Sequence, residues 1–287
     1  MAGRNGDDRL IRDISDTALW VAHYRAVETD RPDAHFKDPH ARALAGDRGL
    51  NIAKAQKWGD RHSWSFITRT VLFDRFIVDE VRAGADLVLN LAAGLDTRPY
   101  RMDLPRNLRW VEVDLPGILD YKESIIGGAA PVCRVERVRL DLEDESARRT
   151  FFRDVTADSA HTVVVTEGLL IYLEPAQVAS LARDLRSLPP ALTWIVDIAS
   201  PGLMKMMSRG EGRLIAEAGA PFKFAPENGA EFFSACGWRA ADVASLLKAA
   251  AKLRRLPPML RFFALFPDPK KPPADRPWSA VVRLVRA

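Results

Sequence analysis

"LVLNLAAGLDTRPYRM", residues 87–102, carries an apolar run of strand length into Ala92, Ala93 and Gly94, and then into Asp96, Thr97 and Arg98. Residues 87–91 have the composition of a strand buried on both faces. The next three residues have almost no side chain where the chain leaves that strand. Either a helix crosses closely there, or a ligand lies against the backbone.

Outward from this stretch, strand-like runs recur at 109–114, 135–140, 161–166, 192–198, 238–243 and 279–285, with helical patterns between them. Such alternation predicts an α/β fold with a mostly parallel sheet. "TVVVT" and "LTWIVDI" lack polar alternation, as strands covered on both faces do. "WSAVVRLVR" alternates in part and suits an antiparallel last strand. About 85 residues precede the first strand and read as helical. Ser15 is a candidate cap for "SDTALWVAHYRAVE", and "SWSFITRTVLFDRFIVDEVRAG" places Ile67, Val71, Asp74 and Val78 near one face and closes at Gly84. The expected organisation is a helical cap over 1–85 and a core over 86–287, together one structural domain. An insert at about 201–228 holds Met204, Met206, Met207 and "SRGEGRL", and is either a lid or a packed excursion.

The chain has 287 residues, 47% of them apolar, enough for one large core. No apolar run approaches the roughly 20 residues of a bilayer span. The first 16 residues are polar and include acids, unlike a secretory or transit segment, so a cytoplasmic protein with no membrane partner is expected. Cys133 and Cys236 are the only cysteines, and neither they nor the five scattered histidines have metal-site spacing, so no metal is expected. A net charge of +4 does not point to nucleic acid. That charge is uneven, because residues 248–287 hold ten Lys/Arg against Asp268 and Asp275, leaving this tail at +8 and the rest at −4. The tail is either a solvated basic face or the seat of an anionic substrate or acidic carrier.

In open parallel sheets, ligands bind beyond the carboxyl ends of the strands. Gly94 sits at the first such end, although the second and third glycines of Gly-x-Gly-x-x-Gly are missing. The second strand ends at Asp114, followed by Leu115, and an acid there can accept both hydroxyls of a ribose. Glu112 points to the same face and is the second choice; a helix cap is the other role open to Asp114. The third run ends in "LDLED", where Asp141 could accept a purine amine beside Leu142. The fourth ends at Glu167 and Gly168. A carboxylate leaving so apolar a strand needs a cation or hydrogen-bond donors nearby. Val178, Leu181, Leu185 and Leu188 beyond Pro175 read as core.

"NLAAGLDTRPYRM", "WVEVDLP", "LDLED" and "TEGLLIYL", in this order, resemble the leucine carboxyl methyltransferase (PPM) family, above all its bacterial branch of S-adenosylmethionine-dependent O-methyltransferases. "TALWVAHYRAVETDRPDAHFKDPHARAL" and "ITRTVLFDRFI" are similar to the same branch. The resemblance implies a class I methyltransferase sheet, Rossmann-like and seven-stranded, in the order 3-2-1-4-5-7-6. It also implies S-adenosylmethionine as cofactor. By position, Gly94 with Ala92, Ala93 and Asp96 would approach the methionine part, and Asp114 with Leu115 the ribose. Asp141 and Leu142 would take the adenine. Arg69 and Arg25 would pair with the methionine carboxylate, and Glu167 with Gly168 would lie near its amino group. Both arginines could instead sit on solvated helix faces, paired with Asp74 or Glu28.

A carboxylate acceptor needs no general base, whereas a phenol or alcohol does, and His35, His23 and Tyr172 are the candidates. The expected acceptor is a small metabolite such as a polyketide-like acid or phenol. Three other readings stay open: a non-catalytic adenosylmethionine-binding protein, a protein C-terminal carboxyl methyltransferase, and an NAD-dependent oxidoreductase.

Overall fold

The five residues of the opening strand are all buried, Leu87, Leu89 and Leu91 in one apolar cluster and Val88 in another. A strand's period of two produces that division, and it needs a packed layer on each side. The computed structural model describes residues 16–55, 59–189, 191–209, 212–217, 219–268 and 274–287. Ser15, Gly210, Glu211, Lys270 and Lys271, which the sequence reading singled out, lie outside the described residues.

The strands are β1 (Leu87–Leu91), β2 (Arg109–Asp114), β3 (Arg134–Arg139), β4 (Thr162–Thr166), β5 (Leu192–Ala199), β6 (Trp238–Ser245) and β7 (Ser279–Arg286). They form one sheet in the order β3-β2-β1-β4-β5-β7-β6. Val88 pairs with Trp110 on one side and Val163 on the other, and neighbours from β3 to β5 are parallel. β7 runs antiparallel between β5 and β6, as its partial alternation predicts. β4 is buried throughout, whereas β3 and β6 at the edges alternate or are exposed.

The helices are α1 (Asp16–Thr29), α2 (Ala41–Ala55), α3 (Gly59–Arg82), α4 (Arg98–Arg101), α5 (Pro116–Ile126), α6 (Glu145–Thr156), α7 (Pro175–Arg186), α8 (Pro201–Arg209), α9 (Gly212–Glu217), α10 (Leu246–Lys252) and α11 (Pro258–Arg261). α6 begins where Asp144 accepts hydrogen bonds from the Ser146 and Ala147 amides, each at 3.0 Å. Its Phe152 packs with Val178, Leu181 and Leu185 of α7 on the face that Leu89 and Val111 present. Leu188 joins that cluster too, so the apolar face read from the sequence is the packed one.

α3 covers the other face, with a different set of side chains from the one expected. Leu72, Phe73, Phe76 and Ile77 are its buried stripe, packed on Val88, Val163, Val165 and Ile195. Of the expected face only Ile67 is fully buried, because Asp74 and its neighbours turn toward charged partners at the strand ends. The cap is therefore two things. α3 is a layer of the sheet's own core, and α1 and α2 close over the strand ends, where Leu19, Ala22 and Leu44 pack on Leu95 and Ile118. No helix of the described residues is long and apolar enough to cross a membrane.

Among the described residues, three of the tail's ten basic residues are bonded to the rest of the fold. Arg255 donates to both oxygens of the fully buried Glu28, at 2.9 and 3.0 Å, and Arg283 to Glu80 at 2.6 Å and to Asp242. Arg286 donates to the carbonyls of Leu188 and Pro189. Neither sequence reading of the tail foresaw these internal pairings.

Candidate functional site

The chain turns sharply after β1, with Ala92 at φ +53° and Gly94 at φ +50°. The Ala93 amide donates to the Val113 carbonyl at 3.1 Å. The Gly94 amide donates to Asp114 Oδ2 at 2.6 Å, and the Leu115 amide to Asp114 Oδ1 at 2.7 Å. Asp114 thus ties the ends of β1 and β2 together. It is not the cap of α5, which begins at Pro116 with Leu115 in the cap position. Burial pushes its carboxyl above the usual range, against the pull of the Gly94 and Leu115 amides. Glu112, the second choice, is fully buried and bonded to Lys122 Nζ at 2.8 Å and Arg137 Nε at 2.9 Å, so it holds β2 to its neighbours.

At the next strand end, Glu167 has the cations its apolar strand demanded. Arg69 Nε donates to Oε1 at 3.0 Å and Arg98 Nη2 to Oε2 at 2.7 Å. Arg98, only 3% exposed, also donates to Asp74 at 2.6 Å and to Asp96 at 2.8 Å. Arg101 grips both oxygens of Asp74, at 2.7 and 2.8 Å. Arg69 Nη1 reaches Asp197 on β5 at 3.2 Å, and the Gly168 amide donates to the other oxygen of Asp197 at 2.7 Å. Burial raises the Asp197 carboxyl despite Arg69, whereas for Asp96 the cost of burial is overcome by Arg98, Lys122 and Arg101, which hold it well below the usual range.

Arg25, on α1, is buried and donates to Asp38 at 2.9 Å and to the Leu95 carbonyl at 2.6 Å. Neither arginine adopts the solvated pairing considered from the sequence. Arg69 pairs with Glu167 and Asp197 and not with Asp74, and Arg25 with Asp38 and not with Glu28. The sequence reading missed Arg98 and Asp197. Arg98 stands within the opening stretch, and Asp197 is the one acid in "LTWIVDI", so each carried a signal of charge in an apolar setting.

These groups open onto one cavity of about 1940 Å³. The turn from Ala92 to Asp96, Asp114 with Leu115, Glu167 with Gly168, and the two arginines all line it. Tyr172 lines it as well, whereas His23 and His35 do not. His35 is exposed, with Nε2 2.7 Å from the Leu253 carbonyl, and His23 stands against the ring of Tyr24 at 5.8 Å. Asp141 and Leu142 also fall outside the lining. Asp141 is exposed and accepts from the Glu143 amide at 2.9 Å, and the Leu142 carbonyl accepts from Arg148. The insert supplies a wall through Leu203, Met206 and Met207 of α8 and Phe222 beyond α9.

The inner end suits a ligand that carries both signs of charge, because Arg25, Arg69, Arg98 and Arg101 line it beside Asp96, Asp114, Glu167 and Asp197, four cations and four carboxylates. Gly168, at φ +68°, leaves room for the Arg69 guanidinium, since a Cβ there would come within 3.3 Å of Nη1.

Residues 18–186 match the family described as Leucine carboxyl methyltransferase. A protein of Mycobacteroides abscessus named "Putative S-adenosyl-L-methionine-dependent methyltransferase" is 34% identical over 193 residues, 62% of this chain and 63% of the relative's length. A Frankia alni protein of the same description is 31% identical over 255 residues, 84% of this chain and 87% of that one. The crystal structure of a "putative methyltransferase" from Thermobifida fusca YX superposes with a TM-score of 0.59 at 19% identity, covering 97% of each chain, a likeness of fold.

Proposed function

The chain belongs to the leucine carboxyl methyltransferase family, whose cofactor is S-adenosylmethionine, and from that premise we propose that it methylates an oxygen of a small-molecule acceptor, a carboxylate or a hydroxyl. S-adenosylmethionine, when bound, supplies an activated methyl group together with its own leaving group. The observation that carries the reading is the tie between two strand ends, where the Gly94 amide meets the Asp114 carboxylate at 2.6 Å in the cavity that also holds Glu167.

Asp114 spends one lone pair of each oxygen on the Gly94 and Leu115 amides and keeps the others for ribose hydroxyls. Glu167, fixed by Arg69 and Arg98, offers anionic oxygen to an amino group. Arg69 uses Nε and Nη1 within the protein and keeps Nη2 for a ligand carboxylate, while Arg25, held through Nε and Nη2, keeps Nη1. What remains for the protein is alignment and exclusion of water, which can supply about 7–11 kcal/mol of barrier reduction.

A carboxylate acceptor is favoured over a hydroxyl by the placement of the candidate bases, because only Tyr172 of the three stands in the cavity. Calorimetric titration with S-adenosylmethionine and, separately, with NAD tests the cofactor. Micromolar binding of the first alone is expected, and NAD binding in its place would overturn the reading. Transfer of labelled methyl to carboxylic acids, phenols and cell-extract proteins then identifies the acceptor, with the acids expected to carry the label.

A further inference from the structure

The cavity continues outward into a surface that cofactor binding does not use. Met259, Phe262, Phe263, Leu265 and Phe266, five large apolar side chains within eight residues, are each more than half exposed. Single exposed apolar residues are ordinary, but a run of this density marks an interaction site. All of them except Leu265 also line the cavity. Patch and cavity are therefore one continuous apolar surface leading to the strand-end turn.

Size and charge narrow what fits. At about 1940 Å³ the cavity exceeds the roughly 300–1,000 Å³ of a pocket for one small ligand, so it has room for a second molecule beside a nucleoside-sized one. Arg209 and Arg276 line it as well, and neither is held in an ion pair among the described residues. An anionic group is thus attracted into a passage whose walls are otherwise largely apolar.

We propose that the acceptor is an amphiphilic carboxylic acid, its apolar body lying along Met259, Phe262, Phe263 and Phe266 and its carboxylate reaching in toward the turn after β1. The proposal rests on the methyltransferase reading. In the transfer, a carboxylate oxygen forms a bond to the methyl carbon while the carbon–sulfur bond breaks and its electron pair stays on sulfur. The anion and the sulfonium cation become a neutral methyl ester and a neutral thioether, and no proton moves. A water-soluble anion thereby becomes a neutral lipophile, which an exposed apolar exit suits.

The test is calorimetric titration of protein saturated with S-adenosylhomocysteine, using straight-chain carboxylates of about 6 to 16 carbons below their micelle concentrations, chosen because each buried methylene strengthens binding. Kd should tighten at least threefold for each added pair of methylenes, and the matching alcohols should bind at least tenfold more weakly. Phe262→Ala/Phe266→Ala should flatten the chain-length dependence while leaving the affinity for S-adenosylhomocysteine unchanged. Affinity independent of chain length, with S-adenosylhomocysteine still bound, overturns the amphiphile and leaves the methyltransferase reading standing. Equal binding of alcohol and acid overturns the carboxylate head. No binding of S-adenosylhomocysteine overturns both readings. Chain-length-independent acids together with sedimentation on anionic phosphatidylserine vesicles that the double variant abolishes would give the patch to a lipid surface instead.

Discussion

Gly94 and Asp114 are twenty residues apart in sequence and joined by a 2.6 Å hydrogen bond from the Gly94 amide, so a change at Asp114 touches both the turn and whatever lies on it. Asp114→Ala removes the acceptor of two backbone amides together with the oxygens offered to a ribose. Affinity for S-adenosylmethionine should fall at least tenfold, about 1.4 kcal/mol, by calorimetry. Asp114→Asn keeps an oxygen for the Gly94 amide and should lose less; equal affinity of the alanine variant and wild type in a folded protein would take Asp114 out of the site. Two residues before Gly94, Ala92 holds φ +53°, where an L-residue pays roughly 1–2 kcal/mol for its Cβ. Glycine escapes that cost and loses roughly 0.5–1 kcal/mol of chain entropy on folding. Ala92→Gly should therefore stabilise the protein by up to about 1 kcal/mol in urea titration. An unchanged or lowered midpoint would mean that the methyl packs well enough to offset its strain. A small residue at this position was legible in the sequence; its positive φ, beside the bond of the Ala93 amide to Val113 on the neighbouring strand, was not, because no local pattern carries a contact between strands.

At the level of elements, α3, α4 and the segments that follow β1 and β4 meet through one guanidinium. Arg98 is 3% exposed and satisfies Asp74, Asp96 and Glu167 together. Burial works against its charge, and those three carboxylates more than restore it. Arg98→Met would leave three carboxylates facing one another without their shared cation. Removing one partner of a buried pair costs about 3–5 kcal/mol, so the midpoint of chemical denaturation should drop by a comparable amount. Arg98→Lys should recover only part of it, because a point ammonium cannot span three acceptors. A loss below about 1 kcal/mol, the size of a surface pair, would show that the network relaxes or protonates instead. That Glu167 needed a cation was legible from its apolar strand. Which cation was not, since Arg69 and Arg98 lie 98 and 69 residues away in sequence and are brought there only by the sheet order.

Over the whole molecule, strand positions were legible because parallel strands covered on both faces lack polar alternation, as β4 does, whereas the strand order came from the resemblance to the methyltransferase family and not from the pattern. The face of α3 was misread because Asp74 and Arg69 face the strand ends and not water, which breaks the usual polar-out pattern. The cap, the sheet and the tail are joined by charges that look solvent-bound in sequence: Arg255 to Glu28, Arg283 to Glu80, and Asp38 to both Arg25 and Thr97, the last at 2.6 Å. Asp38 fastens α1 to the turn after β1, so its protonation bears on how the cap is held. Burial alone would raise its carboxyl, but Arg25, Thr97 and Arg101 hold it below the ordinary value of 3.8, and Asp96 is lowered in the same sense by Arg98, Lys122 and Arg101. Unfolded, both take up protons near that ordinary value; folded, they resist. Their contribution to stability is thus complete above about pH 4 and drains away as the pH falls through the lower folded-state values. The urea midpoint should accordingly be flat from neutral pH to about 5 and fall steeply below 4. Asp38→Asn should start from a lower midpoint and lose less of it on acidification. Identical slopes for the variant and wild type would show that the acid sensitivity arises at other carboxylates.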